Sequence, residues 1–294
     1  MKRGNVGGLL KTVILLLVLI GGLALMLFLV LPRYLNARTQ DQALVRYAEK
    51  VAAMEPADYE ETLEKALDYN ARLYTTDLNW AMTDAQRNEY VQILNVDGAG
   101  CMGVIEIPAL NAELPIFHGG VEAAEESYVT HVEGTSLPGG VRYAGAAGSV
   151  RAPEYAARCV LSDHRSLRST RLFHNLDKLG VGERFMIRLL DETFTYEVDD
   201  VTVIEPDMLG ALTIVPGRDE VILMTDTPRG TGMRLLLVTG RRVENETRVA
   251  DRVPGDGVRL SRDMVLPFVA AAAFIVLIIW LLAAFGGAGK RRGD

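Results

Sequence analysis

The chain has 294 residues, 49% of them hydrophobic and 23% charged, with a formal net charge of −7. That balance leaves room for one large domain or two small ones and argues against a nucleic-acid-binding surface. Two cysteines and four histidines are too few for a disulfide-dense scaffold, and no Cys/His spacing matches a structural zinc site. No phosphate-binding glycine loop, dinucleotide fingerprint or internal repeat is present, and no cofactor or metal is expected.

The ends come first. Residues 1–12 form a short tail carrying Lys2, Arg3 and Lys11, and residues 13–31 carry no charge. Residues 264–285 form a second uncharged run, and the tail 286–294 carries Lys290, Arg291 and Arg292. Each run approaches the roughly 20 residues a helix needs to cross a bilayer. Basic residues stay on the cytoplasmic side, so two spans are expected, with both termini cytoplasmic and residues 33–263 extracellular. A cleaved signal peptide is the alternative for the first run. Its apolar length exceeds the roughly 7–15 residues of such a leader, and no small-x-small site follows. The tails are basic, so the segment between them is more acidic than the chain as a whole. It suits a lysine-presenting partner or a plain solvated surface.

Residues 33–95 read as helical. Ala43, Leu44, Tyr47, Ala48, Val51 and Ala52 share a face. A second helix is expected near Asp58, with Asp58 and Glu61 as a capping box and Tyr59, Leu63, Ala66, Leu67 and Asn70 as its stripe. Thr83 and Gln86 form the cap of a third. Residues 96–243 change texture. CMGVIEIPAL, AELPIFHG, ARCVLSDH, RFMIRLL, TFTYEVDDVTVI, EVILMTD and MRLLLVT are short runs separated by turn residues, the pattern of an all-β barrel or sandwich. One helix, STRLFHNLDKL, interrupts them. Residues 244–263 form a polar linker.

These residues resemble a known family. CMGVIEIPALNAELPIFHGG, HVEGTSLPGG, CVLSDHRSLRSTRLFHNLDKLGVGERF and VILMTDTPRGTGMRLLLVTGRR are similar, in order, to the strands and loops of class C, pilin-polymerising sortases. The resemblance implies a sortase-type closed β-barrel with an N-terminal helical region and flanking transmembrane helices, in a Gram-positive-type cell. It implies a groove for a Leu-Pro-x-Thr-Gly sorting signal. In the family a cysteine thiolate attacks the Thr carbonyl, a histidine protonates the leaving amine, an arginine steadies the oxyanion, and a pilin lysine resolves the thioacyl enzyme.

Here the pattern is incomplete. His164 in SDHRS matches the catalytic histidine, with Asp163 and Ser166 replacing the flanking glycines. Asp226 in MTDTP stands at the cysteine position. Counting without a gap from Pro228, Leu235 stands at the arginine position and Arg234 one residue early. One residue in a strand is a change of face, so Arg234 substitutes only through a bulge. Asp77 and Trp80 occupy the place of the family's lid motif, without its proline, as a degenerate lid. Trp80 either plugs the groove or packs on the barrel.

Asp226 cannot act as a thiolate, and carboxylate attack on an amide leads to a high-energy anhydride. Cys159 precedes His164 by five residues, roughly 16 Å at about 3.3 Å per residue, and reads as structural, as does Cys101. His118, His131 and His174 read as packing residues. A half-buried carboxylate needs a partner, so Asp226 is expected within salt-bridge reach of Arg234 or His164. An Asp226–His164 pair activating water is the hydrolytic alternative, but it lacks an oxyanion donor at Leu235. The resulting expectation is a catalytically degenerate sortase homologue that binds a sorting signal or pilin as scaffold or regulator. The alternatives are an active transpeptidase with displaced groups and a repurposed adhesive or sensing ectodomain.

Overall fold

The computed structural model describes residues 6–76, 78–119, 128–140, 156–163, 173, 175–227 and 234–245, with the backbone alone over much of residues 6–37. The chain divides into two units, Met1–Arg38 with Asp256–Asp294, and Thr39–Gly255. Helix α1 is Val6–Ala52 and contains residues 13–31. Among the described residues no helix is long and apolar enough to cross a membrane, so the expected spans are not borne out there. The second run, 264–285, lies outside the described residues.

The unit from Thr39 holds the end of α1, helix α2 (Pro56–Thr76), helix α3 (Asp84–Tyr90) and eight strands. Helix α2 starts earlier than the expected box at Asp58, because Pro56 supplies the fixed φ of a first turn. The Thr83–Gln86 capping box of α3 is present. The stripe Ala43, Tyr47 and Val51 of α1 packs on Leu63, Cys101, Val104, Phe117 and Leu190. The Tyr47 hydroxyl donates to the Met102 carbonyl (3.2 Å) and accepts from the Leu190 N–H (2.9 Å). Asn70 of α2 is fully buried. Its amide donates to the carbonyls of Leu137 (3.0 Å) and Gly140 (2.7 Å), and its oxygen accepts from the Leu137 N–H (2.7 Å).

The strands are β1 (Cys101–Ile107), β2 (Ala112–His118), β3 (Val129–His131), β4 (Ala157–Asp163), β5 (Arg184–Leu189), β6 (Glu192–Ile204), β7 (Asp219–Asp226) and β8 (Leu235–Val243). They close into one barrel in the order β1-β2-β3-β4-β7-β8-β6-β5. Seven match the apolar runs read from the sequence. The three-residue β3 does not stand out, because a strand that short has no readable alternation. The expected helix at Ser169–Leu179 is not seen within its described part. There the chain makes a single 3₁₀ turn, Leu176–Lys178, which buries Phe173, Leu176 and Leu179 at threefold spacing.

The wall made by β4, β7 and β8 is buried on both faces, which explains its continuous apolar runs. Cys159, Leu161, Val221, Leu223, Leu236 and Val238 face the barrel interior. Val160, Ile222, Met224, Leu235 and Leu237 form the outer face. Further along that outer face Arg158 is register-paired with Glu220 across parallel strands. The buried Glu220 carboxylate accepts from Arg158 Nε (3.0 Å) and from Arg218 Nη1 (3.1 Å).

Candidate functional site

Asp226 ends β7 and is register-paired with Leu235, the first residue of β8. The hairpin is closed beyond that pair by the Thr227 N–H donating to the Arg234 carbonyl (2.8 Å). Residues two apart share a face, so Asp226 continues the outer row of Ile222 and Met224. Leu235 also pairs with Ile204 on β6. It is 8% exposed, an apolar residue between a carboxylate on one side and Ile204 on the other. An apolar side chain here offers no hydrogen to a developing oxyanion.

Arg234 does not compensate. Its Nε donates to Glu205 Oε1 at 3.0 Å, in an ion pair more than half exposed on both sides. Of the two partners expected for Asp226, Arg234 bridges instead to Glu205, which begins the β6–β7 connection, and His164 lies outside the described residues. Among the described residues no ion pair of Asp226 is present. The alternation of the strand supplies the cause: the hairpin puts Leu235 opposite Asp226, and Arg234, one residue early, turns to the neighbouring connection.

His164 lies outside the described residues, as do His174 and Asp77. The strand before His164 is described. β4 runs parallel to β7 with Asp163 beside Thr225, so both strands finish at one rim. Asp163 is buried, and its Oδ2 accepts from the Phe173 N–H at 3.1 Å. It fastens the return of the chain after β4. The sequence marked Asp163 only as a replaced glycine. Glu205 carried no signal at all, because its partner is brought to it by the β6–β8 pairing.

Neither cysteine is near this end of the wall. Cys159 is 2% exposed, faces the interior and is register-paired with Val221, and burial pushes its thiol well up. Cys101 is buried under α1 and α2. Its thiol donates to the Gly103 carbonyl (3.6 Å), and burial pushes it up to about 12. Both are free thiols, and neither is the readily ionised kind that nucleophilic chemistry needs.

The segment expected to be a lid, described from Leu78 onward, sits against the β3–β4 loop. The Asn79 N–H donates to the Gly134 carbonyl at 2.9 Å. Gly134 has a φ of +80°, and a Cβ there would meet the Asn79 carbonyl oxygen at 1.8 Å, so only glycine allows this approach. Gln86 Oε1 accepts from the Thr83 N–H (2.9 Å) and from Asn79 Nδ2 (3.2 Å). Arg87 Nε bonds both oxygens of Glu133. Trp80 is 40% exposed.

His118 and His131 flank the Tyr90 ring. The Tyr90 hydroxyl bonds His131 Nδ1 at 2.9 Å, and His131 Nε2 lies 2.8 Å from the Ser136 carbonyl. Burial pushes His131 down to about 3 and lowers His118 as well. Both are buried structural groups that tie α3 and the turn after it to the barrel. Among the described residues no group of His, Cys, Asp or Glu is placed to hold a metal ion.

Comparison with known proteins places this geometry. The sortase domain family matches residues 105–243. Sortase D of Bacillus subtilis (strain 168) is 27% identical over 144 residues, 48% of this chain and 63% of that protein. Less than two thirds of that relative is therefore spanned. Crystal structures are matched more fully. Sortase C1 of Streptococcus agalactiae is 38% identical with a TM-score of 0.62, covering 70% of this chain and 100% of that one. A structure described as sortase C1 of GBS Pilus Island 1 is 32% identical with a TM-score of 0.60, covering 72% of this chain and 96% of that one. With the whole of one such chain matched at that identity, the chain belongs to the sortase family.

Proposed function

We propose that this protein is a membrane-anchored, class C-like sortase homologue that binds a sorting signal or pilin-like surface protein. It serves as a scaffold or regulator of surface-protein assembly, without cysteine transpeptidation. The observation that carries this reading is the register pair Asp226–Leu235. On the resemblance read from the sequence these two positions are the family's cysteine and arginine positions, so a paired carboxylate and alkyl side chain supports a loss of the thiolate and guanidinium that acyl transfer needs. The positions of Cys159 and Cys101 support it further, because neither thiol can stand in. The same two positions weigh against an active transpeptidase with displaced groups. The pilin-like partner is supported by the relative described as belonging to a pilus island. Anchoring by two helices, with residues 33–263 outside the cell, is supported by the uncharged runs 13–31 and 264–285 and their basic flanks. The exposure of Trp80 favours a lid segment that packs beside the groove rather than plugging it.

A sorting-peptide assay on the full chain tests the reading. Binding of a Leu-Pro-x-Thr-Gly peptide without turnover is the expected result. Measurable Thr–Gly cleavage overturns it, and absence of binding favours a barrel repurposed as an adhesive or sensing ectodomain.

A further inference from the structure

Strand β6 outruns its neighbour on one side. It pairs with β8 from Thr195 to Ile204, but with β5 only from Glu192 to Glu197. The turn before β5 covers that side one residue further. There the Gly182 N–H donates to the Val198 carbonyl and the Val198 N–H to the Glu183 carbonyl, both at 2.8 Å. Among the described residues no backbone hydrogen bond reaches residues 200–204 from that side. Asp200, Val201, Thr202 and Val203 are exposed and Ile204 is half-buried, so these five residues form a free strand edge. A free edge is a template for another strand, and proteins guard it with proline, lysine or a bulge. Residues 200–204 hold no proline or lysine, and the bulge falls between Val198 and Asp200, ahead of the edge. Val-Thr-Val-Ile is of the residue types that most favour strands. Exposure points to the same place. Beyond residue 95, the exposed large hydrophobic side chains among the described residues are Val181, Val201, Val203 and Met208. Two lie on the edge, Val181 adjoins Gly182 at its start, and Met208 stands just past its end. The barrel's exposed apolar surface is thus gathered at one unpaired strand.

We propose that a second copy of the chain docks on this edge, the two β6 strands pairing antiparallel about a twofold axis at Thr202. The sequence is self-complementary in that register. Val201 falls opposite Val203 of the other copy, twice, Thr202 falls opposite itself, and Asp200 falls opposite Ile204. Centring the pair on Val201 would oppose Val203 to Asp199, and centring it on Val203 would oppose Val201 to Glu205. The charges fit as well. The two Asp200 carboxylates stand four residues apart, about 13 Å, beyond the screening length of about 8–10 Å. Asp199 falls opposite Glu205, but each brings its own arginine, Arg218 at 3.6 Å and Arg234 at 3.0 Å. Neither end therefore opposes bare like charges. An antiparallel pair also sets the start of one edge against the end of the other, which brings Val181 of one copy toward Met208 of its partner. With only five residues of edge, the association is of the weak, small-interface class.

The test uses the full chain in mild detergent. Sedimentation should move from monomer toward dimer over an about 100-fold rise in concentration. Val203→Lys, which puts a charge on the edge, should abolish that shift and leave the urea midpoint unchanged. Disulfide trapping reads the register, because both native cysteines are buried. Thr202→Cys should give a covalent dimer with copper-phenanthroline, since opposed Cα atoms in an antiparallel pair lie about 4.5–5.5 Å apart, within the span of a disulfide. Val201→Cys alone should give at least about tenfold less, because its own counterpart lies two residues along, about 8 Å away. Mixing Val201→Cys with Val203→Cys should restore the yield. A chain that stays monomeric, or a dimer untouched by Val203→Lys, overturns the proposal. Equal trapping of Thr202→Cys and Val201→Cys overturns the twofold register. If the chain stays monomeric while a Lys-Val-Thr-Val-Lys peptide slows hydrogen exchange at residues 200–204, the edge belongs to a foreign strand and the second copy is not its occupant.

Discussion

Cys159 and Asp226 belong to adjacent parallel strands but to opposite faces of the barrel wall. Cys159 is register-paired with Val221, inside, whereas Asp226 follows Ile222 and Met224 outside. No rotation of a side chain brings that sulfur to the rim where β7 ends at Asp226. The backbone of β4 would have to invert.

Thiol reactivity follows directly. Iodoacetamide at neutral pH should leave Cys101 and Cys159 unmodified in the folded protein, and both should react once the chain is unfolded in guanidinium. Burial and raised thiol pKa act together here. Mass spectrometry of tryptic peptides reads the outcome, and rapid labelling of Cys159 in the native state would contradict the interior placement.

On the proposed reading, supplying a thiol at position 226 and a guanidinium at position 235 should create part of the family's chemistry. Asp226→Cys combined with Leu235→Arg is expected to give a thioacyl adduct with a sorting-signal peptide, detected as a mass increase of the intact chain. Asp226→Cys alone should give about 100-fold less or none, the loss typical of an absent oxyanion donor. No adduct from the double variant would mean that the groove itself has diverged.

Asn70→Ala should be costly although no active group is touched. It leaves two carbonyls and one N–H buried without partners, each worth about 1–3 kcal/mol. A loss of about 3–5 kcal/mol in urea unfolding of the chain is expected, and a loss below about 1 kcal/mol would show that α2 is not fastened through this side chain.

Stability should fall in mild acid through His131. Its folded pKa is depressed to about 3 by burial, below the unfolded value near 6.5. The unfolded chain therefore binds the proton first. The stabilisation is fully present above pH 6.5 and is lost progressively as the pH falls from there toward 3. The limiting slope is about 1.4 kcal/mol per pH unit, and lowered His118 adds in the same direction. Urea midpoints measured from pH 7 to 4 should decline less steeply in His131→Gln than in the native chain.

Much of the barrel was legible because its wall is buried on both sides, so seven strands stand out as apolar runs. The Asp226–Leu235 pair was legible too, since period-two alternation carries a gap-free count across a hairpin. The partner of Arg234 was not. Glu205 is remote in sequence and reaches the site only because β6 lies beside β8. The 3₁₀ turn at Leu176–Lys178 was read as helix because spacings of three and three-to-four residues are hard to separate over so short a stretch. Asn70 looked like part of an apolar stripe. Its position was right for burial, but three backbone partners, not neighbouring side chains, account for it.

The Arg158–Glu220 pair bears on how the barrel assembles. β7 and β8 meet through a short hairpin, but β4 must find β7 across a long stretch of chain, in the parallel sense, which is slow to form. Sliding β7 by one position would swing a glutamate into the oily lumen and point Val221 outward. Misaligned docking is thus penalised electrostatically before the lumen has closed. A charge pair far from any chemistry would act as a proofreading mark for strand alignment, which makes refolding fidelity, rather than equilibrium stability, the property that its removal should damage first.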